Sequence, residues 1–240
     1  MPFSKSELER YSRQILLAGI AAQQKLKDAR VLVVGAGGLG STILPLVVAS
    51  GIGRITVFDG DTVERANLGR QLMFREGDVG KNKALAAGDF LRALNPHVEI
   101  TALGRKFTAA DSDIFVASDL VFEGSDSLKA KFLVNDLVLE YRKPAFIAAL
   151  GAVQGHAMLV TNSGACYRCV FDEIDETELP NCASEGIFSA FPAVVGAAVA
   201  HAAVDYLLNP TGETKFWLFE KNHCRKVNVQ KKQNCKKHAA

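Results

Sequence analysis

A run of β-branched residues that leads directly into a glycine-rich turn constrains the fold of this chain more than any other feature. Arg30-Val-Leu-Val-Val34 has the composition of a buried parallel strand, and Gly35-Ala-Gly-Gly-Leu-Gly40 follows it at once. The residues from Ser41 to Ser50 then read as a helix, and Arg54-Ile-Thr-Val-Phe58 reads as the next strand. This order predicts a βαβ unit with two parallel strands.

The same alternation continues along the chain and predicts an α/β fold: a Rossmann-like, doubly wound, mostly parallel sheet with helices on both faces. After Gly151 the pattern changes to an antiparallel extension with a loop-rich stretch. The further predicted helices are residues 4–20, 81–95, 128–141 and about 192–208. The further predicted strands are residues 97–103, 119–123, 144–150, 153–160, 215–219 and 225–230.

Charge and hydropathy argue against several classes of function. The last twenty residues carry seven Lys and Arg and no acid, but they contain no aromatic residue that could stack on bases, so we expect no nucleic-acid partner. The uncharged stretch 186–204 is interrupted by Pro192 and His201, which favours a buried helix over a membrane span. The amino terminus lacks the layout of a signal peptide, so we expect a cytoplasmic protein with reduced thiols.

The glycine turn predicts a phosphate site. Gly35, Gly37 and Gly40 allow a tight turn whose N–H groups face a ligand at a helix N-terminus, where the helix dipole attracts an anion. Asp59 ends the next strand about 20 residues later, the position of an acid that hydrogen-bonds a ribose. Dehydrogenases and ATP-using enzymes share this pair of features, so the turn alone does not separate them.

Cationic residues near the same strand ends favour ATP over NAD. Arg70 and Lys83 could neutralise a triphosphate under attack at its α-phosphorus, and Asn67 could hydrogen-bond its oxygens. Asp126 follows another predicted strand and could hold Mg²⁺ against the leaving pyrophosphate. Taken singly, these residues could equally be surface ion pairs, a loop Asn and a helix N-cap.

The sequence resembles the ThiF/MoeB/HesA family of adenylyltransferases, bacterial relatives of the ubiquitin-activating enzymes. The resemblance covers nearly the whole chain and depends on seven segments: Arg10-Tyr-Ser-Arg13-Gln, Gly35 to Gly40, Asp59 to Gln71, Lys83, Ser125-Asp126, Cys166-Tyr-Arg-Cys169 and Asn181-Cys182. It implies an enzyme that uses ATP to adenylate the C-terminal glycine of a ubiquitin-fold sulfur carrier. That carrier ends in Gly-Gly and serves thiamine or molybdopterin biosynthesis.

The resemblance also implies residue roles and partners. Arg13 would reach the nucleotide of a second subunit in a homodimer, and a sulfurtransferase or cysteine desulfurase would be a further partner. Ser127 stands where the family has an asparagine, so its role is the least defined. The implied ATP and Mg²⁺ ligands in this sequence are Gly38, Asp59, Asn67, Arg70, Lys83, Asp126 and Ser127.

The cysteines predict a structural zinc site. Cys166-x-x-Cys169 is one half of a metal site, and Cys235-Lys-Lys-His238 stands where the family usually has a second Cys-x-x-Cys pair. Three thiolates and one imidazole make a sound tetrahedral site for Zn²⁺. Cys224 competes with His238 as the fourth ligand, and a redox pair remains an alternative for Cys166 and Cys169.

Cys182 is a candidate nucleophile. It matches a family cysteine that in some members bonds to the carrier or to persulfide sulfur, but acyl-adenylate formation needs no enzyme nucleophile, so a spare thiol is an equal alternative. Two rival functions remain for the whole chain: an NAD-dependent Rossmann oxidoreductase and a non-catalytic scaffold that binds a ubiquitin-like protein. The sequence does not identify the carrier.

These expectations divide the chain into three parts within one integrated domain. Residues 1–28 form an N-terminal helical segment, and residues 29–150 form the ATP-binding core. Residues 151–240 form a carrier-binding extension with a crossover loop and the zinc site.

Overall fold

Eight strands form one continuous sheet in the computed structural model, which describes residues 3–171, 186–220, 223–235 and 237–238. The strands are β1 (Arg30–Val34), β2 (Arg54–Phe58), β3 (Glu99–Leu103), β4 (Leu120–Glu123), β5 (Ala145–Leu150), β6 (Gln154–Val160), β7 (Lys215–Glu220) and β8 (His223–Val227). Their spatial order is β3-β2-β1-β4-β5-β6-β7-β8. The first five strands run parallel and the last three pair antiparallel, which confirms the predicted α/β fold.

The predicted helices lie where the apolar periodicity places them, with one exception, whereas the helices Ile20–Asp28, Ser112–Val116 and Tyr167–Val170 were not predicted. The predicted single helix over residues 4–20 is wrong: it is two helices that meet at Tyr11, and Gly19, with φ of 84°, ends the second. Tyr11 is buried and its hydroxyl accepts a hydrogen bond from Asn95 Nδ2 at 2.9 Å, so a tertiary contact overrides the local pattern. The helices are α1 (Lys5–Arg10), α2 (Ser12–Ala18), α3 (Ile20–Asp28), α4 (Gly40–Ala49), α5 (Lys83–Leu94), α6 (Ser112–Val116), α7 (Leu128–Tyr141), α8 (Tyr167–Val170) and α9 (Ala190–Leu208).

The sheet order reverses between β1 and β4, and this reversal sets the position of the site. The chain leaves β1 toward β2 and β3 on one side, and β4 returns to pair with β1 on its other side. Parallel sheets bind ligands in the crevice beyond the carboxyl ends of the strands at such a switch point. Gly35 follows β1 there and Gly124 follows β4.

Two apolar cores cover the two faces of the sheet. On one face α4, α5 and α9 pack through residues such as Leu44, Leu91 and Val199. On the other face α6, α7 and α8 pack through residues such as Phe115 and Val138. Helices on both faces bury the central strands on both sides, which explains why β1 and β4 are almost wholly apolar.

Helix α9 is the one described helix that is long and apolar enough to cross a membrane by length and composition. Core helices pass the same test, and here Val195, Val199 and Ala203 are buried in the core against the sheet and α4. Pro192 at its start lies 3.5 Å from the Cβ position of Gly38, so the helix also borders the glycine turn.

The antiparallel strands extend the parallel sheet without a break. β6 pairs with β5 from Val160 opposite Ala145 to Gly155 opposite Leu150, so the predicted boundary at residue 151 falls in the turn between two paired strands. β7 and β8 follow across the sheet. The division into three parts stays a prediction, but a single sheet spans its second and third parts.

Candidate nucleotide and metal sites

The glycine turn is shaped by close backbone approaches that exclude side chains. Gly35 has φ of 98°, and a Cβ there would lie 2.8 Å from the backbone nitrogen of Ser125. A Cβ on Gly40 would meet the carbonyl oxygen of Gly35 at 2.3 Å. Both positions therefore require glycine. The turn leads into the N-terminus of α4, where the Ser41 and Thr42 N–H groups already donate to the carbonyls of Gly37 and Leu39. An anion would therefore be bound by the N–H groups of the turn itself.

Asp59 is held against the glycine turn by its own carboxylate. Its Oδ2 accepts a hydrogen bond from the Ala36 backbone nitrogen at 2.7 Å, and its Oδ1 accepts one from the Asp61 nitrogen at 2.9 Å. Burial raises the pKa of Asp59, while these two donors and Lys83 oppose the rise. The carboxylate that sequence reasoning assigns to a ribose is thus also part of the turn.

The segment after Asp59 returns to the turn through Asn67, Arg70 and Gln71. Asn67 is buried, and its carbonyl accepts the backbone N–H groups of Arg70 and Gln71 at 3.0 and 2.9 Å. Arg70 as a residue is half-buried, and its guanidinium donates to the Ala66 carbonyl at 3.1 Å in an exposed position. The Arg70 carbonyl oxygen lies 3.9 Å from the Cβ position of Gly38, which places this segment beside the turn.

Gln71 is a site residue that sequence reasoning missed. Its side chain is 4% exposed, its Nε2 lies 3.7 Å from the Cβ position of Gly37, and its Oε1 is buried without a hydrogen-bond partner among the described residues. A buried unpartnered amide is unusual in a folded protein. Its position beside Arg70 in the sequence gave no signal of burial.

Lys83 is the first residue of α5 and lies near Asp59, at the carboxyl ends of the parallel strands. It is 8% exposed, and its Nζ lies 3.2 Å from Asp61 Oδ2. The Lys83 backbone nitrogen donates to the Asp61 carbonyl at 2.9 Å, and Asn82 Nδ2 donates to the Asp59 carbonyl at 3.0 Å. The lysine is therefore fixed beside Asp59, close enough that its charge opposes the rise in the Asp59 pKa.

Asp126 lies in the turn between β4 and α7 with its carboxylate exposed. Ser127 is the N-cap of α7, and its Oγ accepts a hydrogen bond from the Ala130 nitrogen at 3.2 Å. The sequence also allowed Asp126 to be the N-cap of this helix, but that position is occupied by Ser127. An exposed carboxylate beside the glycine turn is a suitable oxygen ligand for Mg²⁺.

The structure does not test the roles of two further predicted residues. Arg13 is exposed on α2, and no hydrogen bond or ion pair of its side chain is seen in the part of the chain that the structure describes. Cys182 falls within 172–185, outside the described residues. Both roles stay predictions.

The predicted zinc ligands form a second, separate cluster. The ligand atoms of Cys166, Cys169, Cys235 and His238 all lie within 4.8 Å of one another. Cys166 Sγ is 3.8 Å from Cys169 Sγ and 3.6 Å from Cys235 Sγ. Sulfurs bound to one tetrahedral Zn²⁺ at ~2.3 Å lie about 3.7 Å apart, so the spacing fits zinc. Cys224 is exposed on β8 and lies outside the cluster, which favours His238 as the fourth ligand.

The electrostatics of the cluster also fit a cation. Burial, together with the neighbouring Cys169 and Cys235, raises the pKa of the Cys166 thiol to about 12. Burial lowers the pKa of His238, whose Nε2 is buried without a partner among the described residues. A divalent cation would stabilise the thiolates and use the neutral imidazole nitrogen.

Helix α7 supports the cluster from behind. The Asn135 Oδ1 accepts a hydrogen bond from the Tyr167 nitrogen at 2.6 Å, and Asp136 binds Arg168 at 2.8 Å and Lys237 at 3.2 Å. One helix therefore anchors both metal-ligating turns. The same helix begins at the Asp126 turn, so it joins the two sites.

A family model described as the ThiF family matches residues 11–238. The chain belongs to the ThiF family. A sulfur carrier protein adenylyltransferase of Thermus thermophilus is 40% identical over 218 residues, which are 87% of this chain and 80% of that relative. The SAMP-activating enzyme E1 of Haloferax volcanii is 36% identical over 208 residues, 85% of this chain and 77% of the relative.

Solved structures share the fold of this ThiF-family chain. E. coli MccB, solved with ATP, superposes with a TM-score of 0.79 at 22% identity and covers 98% of this chain and 75% of its own. At that identity the likeness shows the fold alone. The predicted family and fold class are thereby confirmed, and the residue roles remain to be argued from the site.

Proposed function

We propose that the chain uses ATP to adenylate the C-terminal glycine carboxylate of a ubiquitin-fold sulfur carrier and releases pyrophosphate. The proposal is carried by one observation: Asp59, Lys83 and the Asp126 turn lie beside the glycine turn, at the carboxyl ends of the parallel strands. An NAD-dependent oxidoreductase would use the glycines and Asp59 but would give Lys83 and Asp126 no task. The relation to named adenylyltransferases supports the same choice.

The reaction requires charge neutralisation more than proton transfer. A carboxylate oxygen of the carrier attacks the α-phosphorus, a new P–O bond forms, and the bond from that phosphorus to the bridging oxygen breaks. Pyrophosphate leaves with the electron pair, and no enzyme nucleophile or base takes part. Because two anions must approach each other, fixed cations contribute most of the stabilisation.

Each side chain has a task that its position allows. Backbone N–H groups of the glycine turn bind phosphate oxygens, and the Asp59 carboxylate accepts from ribose hydroxyls. Lys83 and Arg70 bind the triphosphate, and Asn67 holds the Arg70 segment beside the turn. Asp126 binds Mg²⁺, which when bound neutralises the departing pyrophosphate.

A second copy of the chain completes the site in this proposal. Helix α2 buries none of its residues, and Leu16 and Leu17 are 77% and 89% exposed. An apolar helix face of this kind is typical of a subunit interface. Arg13 lies on the same helix and would reach the nucleotide of the partner subunit.

The adenylated carrier would then receive sulfur as a thiocarboxylate from a sulfurtransferase or cysteine desulfurase. The carrier belongs to the thiamine or molybdopterin pathway and resembles ThiS or MoaD. Cys182 is the thiol proposed to take part in that transfer. We propose that these steps take place in the cytoplasm.

Carrier-dependent exchange of labelled pyrophosphate into ATP tests the adenylation. We expect exchange with the wild-type chain and a loss of about 100-fold or more with Asp126→Ala. The control is Asp113→Ala, which should not change exchange, because Asp113 lines a groove at the amino ends of the strands. Tight NAD binding without exchange would instead establish the oxidoreductase. Full activity of Asp126→Ala in cells would favour a non-catalytic scaffold.

Affinity capture of the bound carrier, followed by sequencing of its C-terminus, identifies the pathway. We expect a protein that ends in Gly-Gly and supports exchange when purified. A carrier that loses exchange when its last glycine is removed would confirm the carboxylate as substrate. A captured protein without that tail would contradict the assignment.

A further inference from the structure

A buried ion pair lies directly behind the Asp126 turn. The side chains of Glu123, at the end of β4, and Lys131, in the first turns of α7, are 0% and 5% exposed, and Lys131 Nζ lies 2.5 Å from Glu123 Oε2. The ammonium also donates to the carbonyls of Ser125 at 2.7 Å and Ala148 at 2.8 Å. All three of its N–H groups are therefore used within the protein.

The Glu123 carboxylate holds the same turn from the other side. Its Oε1 accepts hydrogen bonds from the Ser125 nitrogen at 3.0 Å and from the Ser125 hydroxyl. That hydroxyl in turn accepts a hydrogen bond from the Ser127 nitrogen at 3.3 Å. The two charges thus bind the nitrogen, hydroxyl and carbonyl of the residue immediately before Asp126.

The turn held in this way also forms one wall of the glycine turn. The Ser125 nitrogen and Cα lie 2.8 and 3.0 Å from the Cβ position of Gly35. Ser125 therefore packs so close to Gly35 that no side chain fits between them, and a displaced Ser125 would change the fit between the Asp126 turn and the glycine turn. The ion pair thus binds the residue at which the Asp126 turn packs against the glycine turn.

Stability of the fold alone does not explain this pair. Burying two charges carries a large desolvation penalty, and apolar side chains of similar volume often stabilise a core as well or better. Apart from the bond to Ala148 and the bond between the two charges, every hydrogen bond of the pair ends on Ser125. Most side-chain hydrogen bonds of the pair therefore fix the conformation of the turn before Asp126.

We propose that Glu123 and Lys131 are positioning residues that set the Asp126 carboxylate for the metal-nucleotide complex. They touch neither substrate nor metal and act through Ser125. The inference deepens the proposed function and rests on it. It assigns a role to two residues that local sequence patterns do not mark, apart from an acid at the end of an otherwise apolar strand.

The test separates magnesium-dependent binding from folding. The double variant Glu123→Leu/Lys131→Met removes both charges and keeps similar volumes, so we expect it to fold. Calorimetry with a non-hydrolysable ATP analogue should show the magnesium concentration for half-maximal binding raised about 10-fold, the usual effect of losing support behind a metal ligand. Binding of the analogue in EDTA should change by about twofold or less, since the glycine turn and Asp59 remain.

Two further variants keep the test decisive. Glu123→Asp/Lys131→Arg keeps both charges but withdraws the carboxylate from Ser125, so we expect the magnesium requirement to rise here as well. Ser125→Ala leaves the pair intact but removes the hydroxyl that joins Glu123 to the Ser127 nitrogen. It should raise the magnesium requirement about threefold, and it tests the inference even if the apolar double variant does not fold.

Several results would overturn the inference. Wild-type magnesium dependence in Ser125→Ala and in the folded apolar variant would show a purely structural pair. An equal loss of binding with and without magnesium would place the effect on the nucleotide pocket as a whole. Absence of magnesium-dependent nucleotide binding in the wild-type chain would instead reject the proposed function, so the two failures are distinguishable.

Discussion

Lys83 combines charge with burial, and this combination makes it the most informative single residue of the nucleotide site. Its Nζ is fixed 3.2 Å from Asp61 Oδ2, and the residue is 8% exposed. We expect Lys83→Met to lower the rate of adenylation about 100-fold or more, because a fixed cation stabilises the charge that develops at the phosphoryl group. Pyrophosphate exchange at saturating ATP measures it.

The matched control for this change is Lys81→Met, two residues earlier. Lys81 is more than half exposed and pairs with Asp78 at 2.8 Å. A surface pair of this kind contributes about 1 kcal/mol or less, and we expect exchange within about twofold of wild type. Equal losses in the two variants would show a general charge effect rather than a positioned cation.

The Asp111 carboxylate provides a pH-dependent contribution to stability. Its hydrogen bond with Arg105 is the main cause that lowers the pKa of Asp111 from 3.8 to about 2, while burial opposes it. Because the pKa is lower in the folded state, the ionised carboxylate stabilises the folded protein above about pH 4. This contribution is lost as the pH falls from 3.8 to about 2. We expect Asp111→Asn to lower the free energy of unfolding at pH 7 by about 1 kcal/mol, since Arg105 is half exposed and screened. Urea unfolding of both proteins should converge near pH 2, and a constant difference across pH would contradict the assignment.

Elements with a strong local pattern were predicted well from sequence. The bounds of β1, β2 and α7 agree with those predicted, because apolar runs between turn residues define them. The predicted helix over residues 4–20 failed, because the burial of Tyr11 against Asn95 depends on a contact made 84 residues later. Gln71, Glu123 and Lys131 were missed for the same reason. Sequence motifs mark the residues that touch ligands. The residues that hold those ligand-binding residues in place are identified only by tertiary packing.

The glycine turn yields a prediction that contrasts two of its positions. Gly35→Ala must accept positive φ and a Cβ 2.8 Å from the Ser125 nitrogen. We expect it to lower the free energy of unfolding by about 2 kcal/mol or more. Gly37→Ala meets only Gln71 Nε2 at 3.7 Å, an ordinary contact, and should change stability by about 1 kcal/mol or less. Thermal unfolding of the two variants measures the difference, and equal losses would contradict the geometry.

At the scale of the whole molecule, α7 connects the two sites. It begins at the turn that carries Asp126, contributes Lys131 to the buried pair, and anchors the metal-ligating turns through Asn135 and Asp136. The cluster packs into the core on that face of the sheet, with Cys166 and Cys235 buried beside Val134 and Phe216. Loss of a metal ion bound at this cluster should therefore first affect the antiparallel extension, and affect the nucleotide site only through α7.

Removal of the metal tests this dependence. A structural Zn²⁺ contributes on the order of 10 kcal/mol to folding, so chelation should lower the thermal midpoint. It should increase amide exchange in α8, β7 and β8 before it does so in β1 to β4. Cys235→Ser should bind less than one equivalent of zinc and reproduce the exchange pattern. Cys224→Ser is the control: its thiol is exposed outside the cluster, and the variant should keep one zinc and the wild-type midpoint. Loss of zinc in Cys224→Ser as well as in Cys235→Ser would assign the fourth ligand to Cys224 on β8 instead of His238.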